Sequence, residues 1–351
     1  MNEAISVVIP AHNQAPELKE HLPSVLAQDY EVFEVIVVDM ASTDETKDIL
    51  EAMELRYPNL RHTRTPSSAR DISLDRLALT LGIRTAKYEW VVITHANCAP
   101  ATHRWLLSMS KAMQEHKDIV IGTAKYDEQR STWFDYQVGF FRLWHTLVNI
   151  DHILSRNVAV RADGCNVALR RSLFLSKNGL GNHLNLLTGA EELLINQLST
   201  SRNVAVAETP EAIVVEDRLP ERRLWKQHRV FYMETRRHQR QAMLFRTKQH
   251  LRLLLPWLLL AILALLWPTL HHFHPNKELA VGIITGLVSL FIIILIGVWI
   301  RGFNHRARAI GYERSYILTA PLFSLLIPLW NVSAWLTYLF SPRTEFRKKF
   351  V

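Results

Sequence analysis

Two polar residues stand where an α/β sheet would offer them to a ligand. Asn13 closes the apolar run Ile5-Ser6-Val7-Val8-Ile9-Pro10-Ala11-His12-Asn13, and Asp39 closes Val35-Ile36-Val37-Val38-Asp39 one helix later. Each run has four or five mostly β-branched residues, which suits a strand buried on both faces, and helical period lies between them. That plan is a β-α-β unit of a parallel sheet, where ligands bind at the carboxyl ends of the strands. Asn13 and Asp39 fall at those ends and point to a nucleotide or similar ligand. A purely local role for the same stretch is a capping box, with Ser42 as N-cap and Glu45 three residues later. The two readings are compatible.

The elements that must position these residues follow in order. Residues 17–28 carry Leu18, Leu22, Val25 and Leu26 on one helical face, with Pro23 as a possible kink. A second helix is expected from near Ser42, burying Ile49, Leu50 and Met53, and a third over 68–86 with Ile72, Leu74, Leu77 and Leu81 apolar. Residues 90–94 read as a strand ending at His95-Ala96-Asn97-Cys98-Ala99-Pro100, followed by a helix over 101–113 and a strand over 118–122. Alternating strands and helices with short connections predict one sheet covered on both faces.

The 351 residues can hold such a domain and something more. Up to about Arg252 the chain reads as an ordinary soluble domain; then come three apolar runs, 253–270, 279–300 and 316–340. At about 1.5 Å per residue even the shortest reaches roughly 27 Å, close to a hydrocarbon core. The first two runs predict a hairpin. Pro321, Pro328 and Asn331 interrupt the third, which suits a span or an interfacial or re-entrant element. Residues 218–252 hold eleven Lys or Arg against Glu221 and Glu234, and 301–315 add Arg301, Arg306, Arg308 and Arg314, whereas 271–278 have only Lys277. This asymmetry puts the large domain on the cytoplasmic side. A spanning third run would leave Arg343, Arg347, Lys348 and Lys349 on the far side, against that tendency. The chain opens on a strand with no charged n-region and apolar h-region, so no secretory signal is expected. Cys98 and Cys165 are too few for a disulfide framework and fit a reducing compartment. The net charge of +8 fits anionic lipids and phosphorylated substrates better than nucleic acid, because the basic residues cluster beside the apolar runs.

Several segments, taken in order, resemble the family 2 glycosyltransferases of GT-A fold. Ser6-Val7-Val8-Ile9-Pro10-Ala11-His12-Asn13 is similar to the family's first strand, and Val37-Val38-Asp39-Met40-Ala41-Ser42-Thr43-Asp44 to its V-V-D-D-G-S-T-D segment. Leu81-Gly82-Ile83 with Ala86, Glu89 and the Trp90 strand resembles its third region, and the likeness extends over residues 5–230. It implies that Pro10, Ala11, Asn13 and Asp39 contact a sugar nucleotide, with Asp39 on the base or ribose. His95-Ala96-Asn97 stands where the family carries Asp-x-Asp for Mn²⁺ or Mg²⁺. Hard cations prefer charged oxygen ligands, so His95 and Asn97 would make a weak site for such an ion or none.

Asp163-Gly164-Cys165-Asn166 resembles the segment lining the donor sugar, which implicates Gly164 and Asn166; a Gly turn into an ordinary strand is the local alternative. Thr188-Gly189-Ala190-Glu191-Glu192 stands where the family places an acidic pair. Glu192 is thereby implied as the catalytic base that takes the acceptor proton, with Glu191 beside it. Thr188 and Glu191 equally have the form of a capping box. Arg223 to Phe231 resembles the Gln-x-x-Arg-Trp region: Gln227 is in place, Val230 and Phe231 depart from it, and Arg229, one residue early, could face a leaving diphosphate. An amphipathic helix on lipid is the alternative.

The expected organisation is thus an α/β, GT-A-like, mostly parallel sheet with helices on both faces over 1–217, a basic amphipathic juxtamembrane segment over 218–252, and a helical membrane region over 253–351. The resemblance implies an inverting transfer from a nucleoside diphosphate sugar to a lipid-linked or surface-polysaccharide acceptor, at a bacterial inner membrane. The other expectation is a degenerate, glycosyltransferase-like binding or scaffold subunit.

Overall fold

The computed structural model describes residues 3–66, 73–127, 132–177, 179–180, 186–217, 219–240, 242–273 and 278–346. Ile72, Arg218, Lys277, Arg347, Lys348, Lys349 and the expected helix start over 68–72 lie outside the described residues. The buried runs become β1 (Ile5–Ala11) and β2 (Phe33–Asp39), with α1 (Ala15–Leu26) between them. Further along are α2 (Thr46–Arg56), β3 (Leu60–Arg64), α3 (Leu74–Thr85) and β4 (Trp90–Ile93). Next come β5 (Cys98–Pro100), α4 (Trp105–Ser110), β6 (Ile119–Ile121), β7 (Ala124–Tyr126) and α5 (Trp133–Arg156). Then β8 (Val167–Arg170), α6 (Arg171–Ser176), α7 (Ala190–Leu198), β9 (Val204–Val206), β10 (Val214–Glu216) and α8 (Arg222–Arg237) complete the domain.

Seven strands pair in the order β3-β2-β1-β4-β8-β6-β9, parallel except that β8 runs against both β4 and β6. A smaller sheet, β5-β10-β7, stands beside it. Side chains alternate across a strand, so one run feeds two cores. Val7, Ile9, Val35 and Val37 pack on one side with α1 and Trp105, while Val8, Ile36 and Val38 face Ala78, Leu79 and Ile83 of α3 on the other. At Gly82 a Cβ would come within 2.4 Å of Val8 Cγ1, so only glycine lets α3 lie this close to β1.

Several local expectations change. Ser42 and Glu45 form no capping box: α2 starts at Thr46 without a side-chain cap, and the Ser42 N–H donates to Asp39 Oδ1 at 2.8 Å. The expected helix over 101–113 shrinks to α4, because 98–100 pair with β10 and the Ala101 N–H donates to Ile213 O. Both β3 and α5 lie outside the alternation that the sequence pattern predicts. A reciprocal Thr132–Asp135 capping box opens α5, and Asn157 in the left-handed conformation (φ 56°) ends it.

Among the described residues, three helices follow that are long and apolar enough to cross a membrane: α9 (Ala242–Phe273), α10 (Glu278–Ala309) and α11 (Thr319–Phe340). Both α9 and α10 expose rows of large apolar side chains, among them Leu255, Leu258, Leu287 and Ile294. The polar ends of α9 and α10 converge on one residue of α5, with Arg252 Nη1 2.7 Å and Arg306 Nη2 2.5 Å from the Asp151 carboxylate. Through Pro328 α11 continues as a helix, burying Phe323, Ile327 and Tyr338 while exposing Leu329, Trp335 and Leu339. Its buried side packs on α5, where Phe140 and Phe323 are 5.5 Å apart, and on α8, where the Tyr338 hydroxyl donates to Glu234 Oε2.

Asn166 departs from its expected place beside a donor sugar. It is fully buried; its amide donates to the Thr123 and Ala212 carbonyls, each at 2.7 Å, and its oxygen accepts from the Trp105 indole at 3.1 Å. The amide joins the two sheets and α4, both its N–H groups are engaged, and its burial leaves no face open to a ligand. Asn166→Ala would strand two carbonyls and an indole N–H, and loss on the order of 3 kcal/mol is expected. A marked drop in melting temperature of the detergent-purified protein is the measurement, and an unchanged melt would refute the assignment.

Candidate active site

A cavity of about 520 Å³ opens between the carboxyl end of the sheet and helices α5, α7 and α8. His95, Gly164, Cys165, Glu191, Glu192, Arg229 and Arg142 all line it. Gly164 lets the backbone lie close to Glu191: a Cβ there would stand 3.0 Å from the Glu191 carboxyl carbon and press that side chain aside by a few tenths of an ångström. Gly189, left-handed at φ 73°, starts α7 against Thr235 of α8, where a Cβ would meet Thr235 Cγ2 at 2.4 Å. No Thr188–Glu191 capping box forms. Arg76 of α3 instead holds the approach to α7 by donating to the Leu186 and Thr188 carbonyls, and Glu191 turns to His95.

The acid pair is split in function by its surroundings. Glu191 Oε1 lies 3.1 Å from His95 Nε2; burial would raise its carboxyl, but the His95 hydrogen bond and charge win and hold it below the usual range. Burial lowers His95, yet the ring keeps 32% of its surface, and Cys165 and Glu191 together raise it well above the ordinary imidazole value. Glu192 accepts on Oε1 from Arg161 Nε at 3.0 Å and Gln239 Nε2 at 2.8 Å. Burial outweighs those partners and pushes the Glu192 carboxyl up. Its Oε2 takes no hydrogen bond among the described residues and is the atom left for a proton.

Cations surround the acids. Arg142 of α5 is clamped between Asp163, at 2.8 Å, and Glu216, at 2.7 Å, and stacks over Tyr126. Burial raises Asp163, but Arg142 overrides it and holds the carboxyl low. Arg229 differs. It is buried, lies over the Trp225 and Phe141 rings at 4.6 and 5.4 Å, and among the described residues has no hydrogen-bond partner at Nε or Nη2. Burial lowers it to about 10, so it remains a cation at neutral pH. An unpaired buried guanidinium is costly, and an anionic ligand would relieve that cost.

Gln227 is exposed and does not line the cavity. At about 100° per residue, positions 225, 229, 232 and 236 of α8 share one face and Gln227 points away from it. Val230 and Phe231 pack instead beside Ala334, Tyr338 and Phe346. Pro10, Ala11, Asn13 and Asp39 gather at the ends of β1 and β2, outside the cavity lining. The Asn13 N–H donates to Ser42 Oγ, and Asn13 Oδ1 accepts from the Thr43 N–H. Asp39 is 1% exposed; its Oδ2 sits 3.2 Å from Arg64 Nε, close enough for an ion pair but misaligned for a hydrogen bond, so it keeps acceptor capacity.

Residues 6–174 match the model of glycosyl transferase family 2. The chain carries a family 2 glycosyltransferase domain. Glycosyltransferase GlyG of Streptococcus pneumoniae serotype 4 is 29% identical over 142 residues, 40% of this chain and 45% of that protein. Chondroitin synthase of Escherichia coli is 29% identical over 138 residues, 38% of this chain and 19% of that one. The chain therefore spans less than half the length of these curated relatives. A mannosyltransferase, PcManGT from Pyrobaculum calidifontis, solved with GDP-Man and Mn²⁺, superposes with a TM-score of 0.61 at 17% identity, over 97% of this chain and 88% of that one. That likeness establishes the GT-A-like fold.

The residues of this glycosyltransferase domain do not fit a hard cation at 95 and 97. Asn97 Nδ2 donates to Glu216 Oε1 at 3.3 Å, its Oδ1 faces the Cys98 thiol, and His95 sits between Glu191 and the Cys165 sulfur. The adjacent carboxylates of Asp163 and Glu216 already hold Arg142. Mn²⁺ or Mg²⁺ would meet sulfur, imidazole and a guanidinium instead of open carboxylates.

Arg142, Arg161, Glu216 and Gln239 escaped the sequence reading. Each is an ordinary helix, strand or loop residue far along the chain from its partners, and only the fold brings it to the cavity. The missed 24-residue α5 was readable in principle, since Thr132 and Asp135 carry its capping box. Arg142→Met removes the shared partner of two shielded carboxylates, and a loss of roughly 3–5 kcal/mol is expected. Arg142→Lys, keeping the charge without the fork, should fall between the two in a denaturant titration; equal stability of all three would contradict the clamp.

Proposed function

We propose that the chain is a membrane-anchored, inverting glycosyltransferase. It takes a sugar from a nucleoside diphosphate donor and delivers it to a lipid-linked or surface-polysaccharide acceptor, from the cytoplasmic face of a bacterial inner membrane. The observation that carries this reading is one cavity lined by both a raised, half-engaged carboxyl, Glu192, and an unpaired buried cation, Arg229. A displacement at a sugar carbon needs that pair. The acceptor hydroxyl oxygen forms the new bond to the anomeric carbon, Glu192 Oε2 takes the hydroxyl proton, and the bond to the departing diphosphate breaks. Arg229, with Arg161 and Arg236 also on the cavity wall, would stabilise the charge that develops on the leaving group.

In this reading Asp39 Oδ2 accepts from the nucleoside, with Pro10, Ala11 and Asn13 shaping the strand-end turn. Gly164 keeps the wall near the donor sugar flat. Basic residues beside the apolar helices would meet anionic lipid headgroups, and the helices would keep the cavity near a membrane-held acceptor. A purely structural binding or scaffold subunit is supported less well, because it has no use for an unpaired guanidinium held in the interior.

The protein in detergent, incubated with a panel of GDP- and UDP-sugars and a native lipid extract, is expected to release nucleoside diphosphate. Glu192→Gln should abolish release, and Arg229→Met should lower kcat by roughly 10²–10³-fold. Glu192 must be ionised to act, and its pKa is raised, so activity is expected to fall with decreasing pH at a higher pH than an ordinary glutamate would dictate. Binding of every donor without turnover would overturn the enzymatic reading in favour of the scaffold.

A further inference from the structure

Among the described residues His95, Cys98 and Cys165 bring their ligand atoms within 4.8 Å of one another, and both cysteines are buried and unbridged. Cys165 Sγ is 3.7 Å from His95 Nδ1. In a tetrahedral zinc site, with Zn–S about 2.3 Å and Zn–N about 2.0 Å, sulfur and nitrogen ligands lie roughly 3.5 Å apart. The second ring nitrogen of His95 faces the Glu191 carboxylate at 3.1 Å. That is how metal-binding histidines are commonly held: a carboxylate on one nitrogen fixes the tautomer and leaves the other nitrogen's lone pair for the ion. Arg142 Nη2, 3.5 Å from the Cys165 sulfur, supplies positive charge beside the thiolate that binding would create.

We propose that His95 Nδ1, Cys98 Sγ and Cys165 Sγ form a binding site for a thiophilic divalent cation, Zn²⁺, with its fourth position open to the cavity. Two observations converge on it: the ligand spacing and the carboxylate behind the imidazole. His95 and Cys165 line the cavity, so a water or an anionic oxygen can complete the tetrahedron from that side. Ligation needs both sulfurs as thiolates and His95 as neutral imidazole, so whatever protons these three groups hold in the free site are released on binding and affinity rises with pH. The site does not depend on the glycosyl-transfer reading. A role for the fourth position in holding a donor diphosphate does rest on that reading.

The test uses the full chain in detergent, free of any histidine tag, stripped with chelator and then given Zn²⁺ or Co²⁺ alone. One ion per chain is expected by elemental analysis. Bound Co²⁺ should show thiolate-to-metal charge transfer and the intense visible bands of a tetrahedral site. Cys98→Ser and Cys165→Ser should each abolish the charge-transfer band or weaken it severely, and Glu191→Gln should weaken Zn²⁺ binding by roughly 10–100-fold. Mn²⁺ and Mg²⁺ in excess should not displace Co²⁺. A Co²⁺ spectrum without sulfur charge transfer in the unaltered protein overturns the site whatever the variants do, and so does substoichiometric Zn²⁺ uptake. Either result leaves nucleoside diphosphate release to be judged separately.

Discussion

The Arg142 guanidinium is the constraint on which the rest of the site depends. It reaches from the middle of α5 to Asp163, ahead of β8, and to Glu216 at the end of β10, so one planar fork holds a helix and both sheets in register. Two carboxylates on one cation would otherwise repel each other, and the shared guanidinium offsets that repulsion. With it, Asp163 is held low and the segment Asp163-Gly164-Cys165 stays pressed against Glu191. Cys165 and Glu191 in turn fix His95. The acids at the cavity wall are therefore placed by a chain of charge pairs that starts on a helix with no role at the strand ends.

Around that centre the cavity balances paired and unpaired charge. Arg161 and Glu192 satisfy each other in part, Arg76 holds the backbone leading to α7, and Arg229 is left over rings it can only stack on. The interior tolerates this last charge because Trp225 and Phe141 offer their faces, a weaker substitute for an anion. The two apolar cores split by alternate residues of β1 and β2 supply the stability from which such strain can be carried.

What the sequence made legible was whatever is local. Buried β-branched runs gave β1, β2 and β4, and the apolar blocks gave three long helices. Asp39 is marked by its place at the end of a buried strand, whereas Gly82 and the Glu191–Glu192 pair are marked by the resemblance of their segments to the family's. The two supposed capping boxes failed for one reason: Ser42 and Glu191 have spatial partners, Asp39 and His95, that compete for the same groups. The resemblance of its segment to the one lining the donor sugar implicates Asn166 in ligand contact, but three internal partners from distant segments engage it. Arg142 and the Cys98–Cys165 approach have no local signature, because they exist only where β5, β8 and β10 come together.

Asp151 accepts Arg252 from α9 and Arg306 from α10, while Phe140 on the same helix α5 packs on α11. Helix α5 is thus a rigid strut between the apolar helices and the cavity wall that Arg142 and His145 line. If those helices lie in a bilayer, the strut sets the height of the cavity above it. A membrane-held acceptor would then need to explore only a plane to find the cavity, and its reach from the headgroup would have to match that height. Under the proposed function, the length of such an acceptor between its lipid and its hydroxyl would become a selection rule written in the geometry of α5.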